Sequence, residues 1–128
     1  FAHLPRRGKK YKKRNLKAAK RIWKRSKKRR SIEERPVRAS AGIECGHWEG
    51  DTIVGKGRKG GLLTLVDRKA KYALIRKVPD LRAETLADTV ADCFRGCPGL
   101  AKTITFDNGV EFASHDRIES ELRARVYF

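Results

Sequence analysis

Residues 48 to 67 read WEGDTIVGKGRKGGLLTLVD, and this stretch decides the fold. Trp48 to Val54 and Leu62 to Asp67 are two short runs rich in β-branched and apolar residues. Between them, Gly55 to Gly61 is glycine and cation alone. Two strand-like runs joined by a glycine-rich turn form an antiparallel hairpin, and Ala73 to Val78, after the turn at Arg68 to Tyr72, adds a third strand. The chain therefore contains a three-stranded meander.

Outward from the meander the period changes. Pro79-Asp80 interrupts the strand pattern. From about Arg82 to Phe94, Leu86, Val90 and Phe94 recur every four residues beside Ala83, Ala87 and Ala91, which predicts an amphipathic helix closed by Gly96 and Pro98. Lys102 to Phe106 is a fourth strand ending in Asp107-Asn108-Gly109. Because a helix separates it from the meander, it is free to pair parallel with the first strand. A second helix over Ala113 to Ala124 with Ile118 and Leu122 on its buried side, and a strand beginning at Arg125 to Phe128, complete an order β-β-β-α-β-α-β. The fold class is α/β, a mixed five-stranded sheet with flanking helices.

The other half of the reading is charge. The chain has 128 residues and a formal charge of +17, unevenly spread. Residues 1–38 hold 18 Lys+Arg against Glu33 and Glu34, a net of +16, whereas the other 90 residues hold 14 against 13. A block this dense repels itself and attracts polyanions. The expected organisation is a basic arm over 1–38, a linker over 39–46 and a folded domain over 47–128. Within the arm, Asn15 to Arg30 carries Leu16, Ala19, Ile22 and Trp23 at helical spacing with Asn15 as N-cap. Ser31-x-x-Glu34 matches a capping box, but Pro36 follows so closely that a helix begun there cannot continue. Ser31 to Gly46 therefore reads as connecting chain. The arm's candidate phosphate contacts are Arg6, Arg7, Lys9, Lys10, Lys12, Lys13, Arg14, Lys24, Arg25, Lys27, Lys28, Arg29 and Arg30.

Composition also excludes. No window approaches the roughly 20 apolar residues that span a bilayer, and no apolar run follows a charged leader, so neither a membrane span nor a secretory signal is read. A cytoplasmic protein is expected. Membrane-surface attachment by the arm is disfavoured, since its apolar stripe is narrow. Cys45, Cys93 and Cys97 are an odd set that reads as reduced thiols. Neither Cys45-x-His47 nor Cys93-x3-Cys97 has a zinc-finger spacing, so no zinc is expected. Methionine is absent and the first residue is Phe1, so the sequence is expected to be an excerpt of something longer.

The chemistry lies with two aspartates. Asp51 is in the first strand and Asp107 at the end of the fourth, and parallel pairing brings both to one edge. Two carboxylates held close repel unless a cation lies between them, which makes Asp51 and Asp107 a candidate Mg²⁺ or Mn²⁺ site; solvent-facing acids at strand ends are the plain alternative. Glu49 shares a strand face with Asp51. It either orients the site or pairs with a nearby arginine. Glu111 is a candidate second contributor or a solvated loop acid. Gly109 suggests a turn needing positive φ. Trp48 reads as a core aromatic, and His47 and His115 as satisfied or surface polar residues.

Gly46-His47-Trp48-Glu49-Gly50-Asp51, Leu63-Thr64-Leu65-Val66-Asp67-Arg68-Lys69 and Thr103-Ile104-Thr105-Phe106-Asp107-Asn108-Gly109-Val110-Glu111-Phe112 together resemble the integrase core of IS30 family transposases. Ser31-Ile32-Glu33-Glu34-Arg35-Pro36 and Val126-Tyr127-Phe128 are similar to that family's text as well, so the resemblance covers roughly residues 31–128. It implies an RNase H-like fold and a DDE transposase, in which two aspartates and a glutamate hold two metal ions that cut and rejoin DNA. By motif, Asp51 is the first acid and Asp107 the second. The third is expected some 30 or more residues after Asp107, beyond the 21 that follow it here, and the family's N-terminal helix-turn-helix text is also not found. The chain then reads as a C-terminally incomplete catalytic core from an interior fragment or a decayed gene, weakly active or inactive alone. The resemblance also implies DNA ends and target as partners, a homo-oligomer for the full-length enzyme and association with the bacterial nucleoid. The competing reading is a non-catalytic basic nucleic-acid binder, either ribosomal-protein-like or a truncated regulator of transposition.

Overall fold

The computed structural model describes residues 29–128. The arm cations from Arg6 to Lys28, and the expected helix over Asn15 to Arg30 apart from its last two positions, lie outside them. Arg30 itself is extended, in a parallel bridge with Tyr127. Its carbonyl accepts the Phe128 N–H at 2.9 Å, and Ile32 N–H donates to Phe128 O at 2.7 Å. A helix ending at Arg30 is thereby excluded, because the backbone there is committed to a sheet edge.

Five strands form one mixed sheet: β1 (His47–Val54), β2 (Gly61–Asp67), β3 (Ala73–Val78), β4 (Thr103–Thr105) and β5 (Arg125–Tyr127). Their spatial order is β3-β2-β1-β4-β5. β1 to β3 form the antiparallel meander, while β4 runs parallel to β1 and β5 parallel to β4. The parallel step exists because α2 (Ala83–Cys93) carries the chain back across the sheet before β4, and α3 (His115–Leu122) does the same before β5.

Alternation sets the two faces. Trp48, Leu63, Leu65, Val78, Ile104 and Val126 bury against Leu86, Ala87 and Val90 of α2 and Ile118 and Leu122 of α3, forming one hydrophobic core. On the opposite face the register places Glu49, Asp51 and Ile53 of β1 beside Val66, Thr64 and Leu62 of β2. Asp51 and Ile53 stay exposed there.

The segment read as connecting chain is more ordered than its composition suggests. Ser31 closes a complete capping box with Glu34 around a single 3-10 turn, Ile32–Glu34, which stops before Pro36 as the sequence requires. A short helix, α1 (Val37–Ala41), then follows, with Pro36 as its N-cap and Gly42 as its C-cap at φ 65°. Five residues are too few for a hydrophobic period, so only packing reveals α1: Ala39 is fully buried, and Arg68 donates to Ala39 O at 2.7 Å and Ser40 O at 2.9 Å. The second expected helix is shorter than its reading: it begins at His115 rather than Ala113, after a separate 3-10 turn at Val110–Phe112, and Arg123 at φ 53° ends it before Ala124.

Candidate active site

β1 and β4 meet in the register His47↔Thr103, Trp48↔Ile104 and Glu49↔Thr105. Asp51 and Asp107 each lie two residues beyond the last of these pairs, so both follow the same edge of the sheet. The two are exposed. Asp51 Oδ1 accepts the Thr52 N–H at 2.7 Å, and Asp107 Oδ1 accepts the Gly109 N–H at 2.9 Å.

Behind them the backbone is set by packing. Phe106, which precedes Asp107, packs against Gly50, which precedes Asp51. A Cβ at Gly50 would come 2.7 Å from Phe106 Cδ1 and inside contact with Cε1. Phe106 also stacks on Phe112, with ring centroids 4.0 Å apart and planes 18° from parallel. Gly50 and the two phenylalanines thus fix where β1 and the Asp107 turn sit relative to each other.

Glu111 joins this edge. Thr52 Oγ1 donates to Glu111 Oε1 at 3.1 Å, tying the 3-10 turn after Asp107 to the residue beside Asp51. Gly109 has an ordinary backbone, and a side chain there would displace only the ends of two carboxylate side chains. Its φ is −56°, not positive as the sequence suggested, and a Cβ would meet Glu111 Cδ at 2.6 Å and Asp107 Oδ1 at 2.9 Å.

Arg29 was expected as a free arm cation, yet its side chain reaches the same turn. Nη2 donates to Gly109 O at 2.8 Å and Nη1 to Asn108 Oδ1 at 3.4 Å. Burial lowers the Arg29 pKa, against the opposing pull of Asp107 and Glu111. Composition cannot distinguish Arg29 from the cations before it; only the sheet pairing of Arg30 carries it here. Arg30 turns the other way, pairing with Glu119.

The remaining residues divide clearly. Glu49 pairs with Arg68, and with Arg35 at 3.8 Å, the ion-pair alternative left open by the sequence. His47 is buried and satisfied, with Nδ1 2.9 Å from Thr103 Oγ1 and Nε2 3.1 Å from Glu44 Oε2. Glu44 is held at a pKa of about 2 by hydrogen bonds from Lys102 and His47. Trp48 is a core aromatic, edge-on to Phe94 at 5.1 Å, with its N–H donated to Leu100 O at 2.9 Å. His115 is buried with no hydrogen bond to either ring nitrogen; Asp116 Oδ1 lies 3.2 Å from Nε2 without hydrogen-bond geometry. Cys45 and Cys97 are exposed free thiols and Cys93 is half-buried, its pKa raised by burial.

One structural carboxylate was not singled out from the sequence. Asp67 is 3% exposed and accepts N–H bonds from Gly46 at 2.7 Å, Lys69 at 2.9 Å and Ala70 at 2.7 Å. Burial alone would raise its pKa, but these three donors outweigh it and hold the carboxyl below its ordinary range.

Among the described residues no group of three or more His, Cys, Asp and Glu is gathered closely enough to hold a metal ion. The β1–β4 edge offers two exposed aspartates, hard oxygen donors of the kind Mg²⁺ and Mn²⁺ take. No helix among those residues is long and apolar enough to cross a membrane.

No family model matches the chain. Curated proteins do. The transposase for insertion sequence element IS4351 of Bacteroides fragilis is 38% identical over 126 residues, covering 98% of this chain and 38% of that protein. The transposase for IS1086 of Cupriavidus metallidurans is 35% identical over 99 residues, covering 77% of this chain and 29% of its own length. Transposase InsI for IS30A of Escherichia coli K12 is 33% identical over 98 residues, 76% of this chain and 25% of that protein. The chain thus spans about two fifths or less of these relatives. On that stretch it belongs to the insertion-sequence transposases, the group that includes the IS30 elements.

Proposed function

We propose that this chain is part of a DDE-type transposase with an RNase H-like core, and that it acts in metal-dependent DNA strand cleavage and transfer. The observation that carries the reading is the equal offset of Asp51 and Asp107 beyond the parallel β1–β4 pairing. A protein that only binds nucleic acid has no use for two carboxylates at matching positions on adjoining strands, where they repel each other if brought close unless a cation intervenes.

In this reading Asp51 and Asp107 hold Mg²⁺ or Mn²⁺. When bound, the metal supplies activation of the attacking oxygen and stabilisation of the leaving oxygen of a phosphodiester. Gly50 and Phe106 keep the two strand ends in place. Glu111 contributes from beside Asp107 through its bond to Thr52. Glu49, engaged by Arg68 and Arg35, anchors α1 and the Arg68 turn. The arm supplies sequence-independent attraction to DNA phosphates, and the full-length enzyme acts as a homo-oligomer on transposon ends and target.

Titration with Mn²⁺ tests the site. The wild-type chain is expected to bind with a dissociation constant on the order of millimolar, as suits an open site with few carboxylates. The double variant Asp51→Asn with Asp107→Asn is expected to lose that binding while keeping its fold. Indistinguishable curves would retire the metal site and leave a non-catalytic binder.

A further inference from the structure

We infer that Arg29 is a positioning residue for the Asp107-Asn108-Gly109 turn rather than a contact to DNA phosphate. Its functional meaning rests on reading Asp107 as a metal-binding acid. Its geometry stands apart from that reading.

The guanidinium is held on two sides. Toward the turn it donates to Gly109 O and Asn108 Oδ1. Its other contact is the Phe128 ring, whose centroid lies 4.2 Å from Arg29 Cζ. Phe128 in turn meets the His115 ring edge-on at 5.1 Å and Phe106 at 6.5 Å. The arginine is therefore wedged between the turn and the aromatic group that also supports Phe106. The backbone cannot drift away, since Arg30 and Ile32 are both bonded to Phe128.

The turn has few other restraints of long sequence range. The Gly109 N–H bond to Asp107 and the Phe112 N–H bond to Gly109 O at 3.4 Å are local. Among the described residues the hydrogen bonds that reach residues 107–111 from distant sequence come from Arg29 and from Thr52. Fixing a long side chain costs rotamer entropy, which the charge-assisted bonds and the cation–π contact offset. Partial burial lowers the Arg29 pKa against the opposing pull of Asp107 and Glu111, in keeping with a guanidinium packed on the turn and the Phe128 ring. A side chain kept only for a phosphate contact would not need to be held on both sides by groups of its own domain.

The test uses the full chain with Arg29→Ala and Arg29→Lys. Without metal, the Gly109 amide, followed by NMR hydrogen exchange, should exchange about tenfold faster in both variants, because an ammonium cannot span the two acceptors. Amides of Leu86 and Val90 should be unchanged. The salt dependence of duplex DNA binding should also be unchanged in Arg29→Ala, whereas loss of a phosphate contact would reduce the slope by about 0.9. Mn²⁺ affinity should fall about tenfold in Arg29→Ala, the loss typical when an outer support of a ligand is removed. Deleting a positive charge near two acids would by itself do the opposite and tighten binding. Unaltered Gly109 exchange, a slope reduced by one contact, or tighter Mn²⁺ binding would each overturn the assignment. If the wild-type chain binds no Mn²⁺, the metal reading fails, and the exchange and salt measurements still decide the role of Arg29.

Discussion

Gly50 shows how a residue's type can be legible while its reason is not. In the sequence it is a glycine inside a strand, next to an acid. In the fold it is the space that Phe106 occupies, so the residues before Asp51 and Asp107 touch directly. Gly50→Ala would force Phe106 and Leu65 aside, at a cost of about 1 to 3 kcal/mol typical of overpacking. Denaturant titration should show that loss, with Gly96→Ala, where an added Cβ meets nothing within 4 Å, as the unperturbed comparison. Equal stability of the two variants would mean that the Gly50–Phe106 contact does not fix the strand ends. Gly109 makes the same point from the other direction. Its motif suggested a positive φ, but its φ is −56°, and the nearest atoms to an added Cβ are the movable carboxylate ends of Glu111 and Asp107.

Among elements, legibility follows length and alternation. β3 occupies 73 to 78 as the sequence indicated, and β1, β2 and α2 differ from their expected bounds by only a residue at either end. α1 was not legible because one turn and a half carries no period. The two residues by which α3 falls short at each end were not legible, because its apolar positions, Ile118 and Leu122, are buried with either set of bounds. Nor was the tie that Asp67 makes between the start of β1 and the β2–β3 turn, since its acceptor role depends on three N–H groups brought together only by folding. The folded Asp67 carboxyl lies below its unfolded pKa of about 3.9, so its stabilisation is present above that pH and is lost as pH falls through the folded value. Asp67→Asn should lower stability near pH 7 by about 2 kcal/mol and flatten the acid limb of the stability profile below about pH 4. Urea titrations across that range check both, and an unchanged acid limb would show that other carboxyl groups set it.

At the scale of the whole molecule, residues 29–32, within the segment read as a basic arm, are joined to the acidic edge. The pairing of residues 30 and 32 with Phe128 makes the root of the arm run beside β5, with Arg29 at the Asp107 turn. Composition made the cationic segment obvious but said nothing of the pairing of its residues 30 and 32 with the last strand's end. If the arm makes roughly six phosphate contacts, raising salt from about 50 to 200 mM should weaken duplex binding about a thousandfold. A salt-insensitive complex would contradict the electrostatic account. The matching placement of Asp51 and Asp107 was legible only in part. The strand that holds Asp51 and the place of Asp107 just after β4 could be read, but 56 positions separate them, and their equal offset depends on the parallel β1–β4 pairing, which is non-local. Whether one ion sits between them is read most directly by loading the chain with Fe²⁺ in place of Mg²⁺ and mapping radical cleavage of the backbone with ascorbate and peroxide. The account expects cuts beside both residue 51 and residue 107, both disappearing in Asp51→Asn alone and in Asp107→Asn alone. Cuts at one segment only, or cuts that survive either substitution, would contradict a shared site.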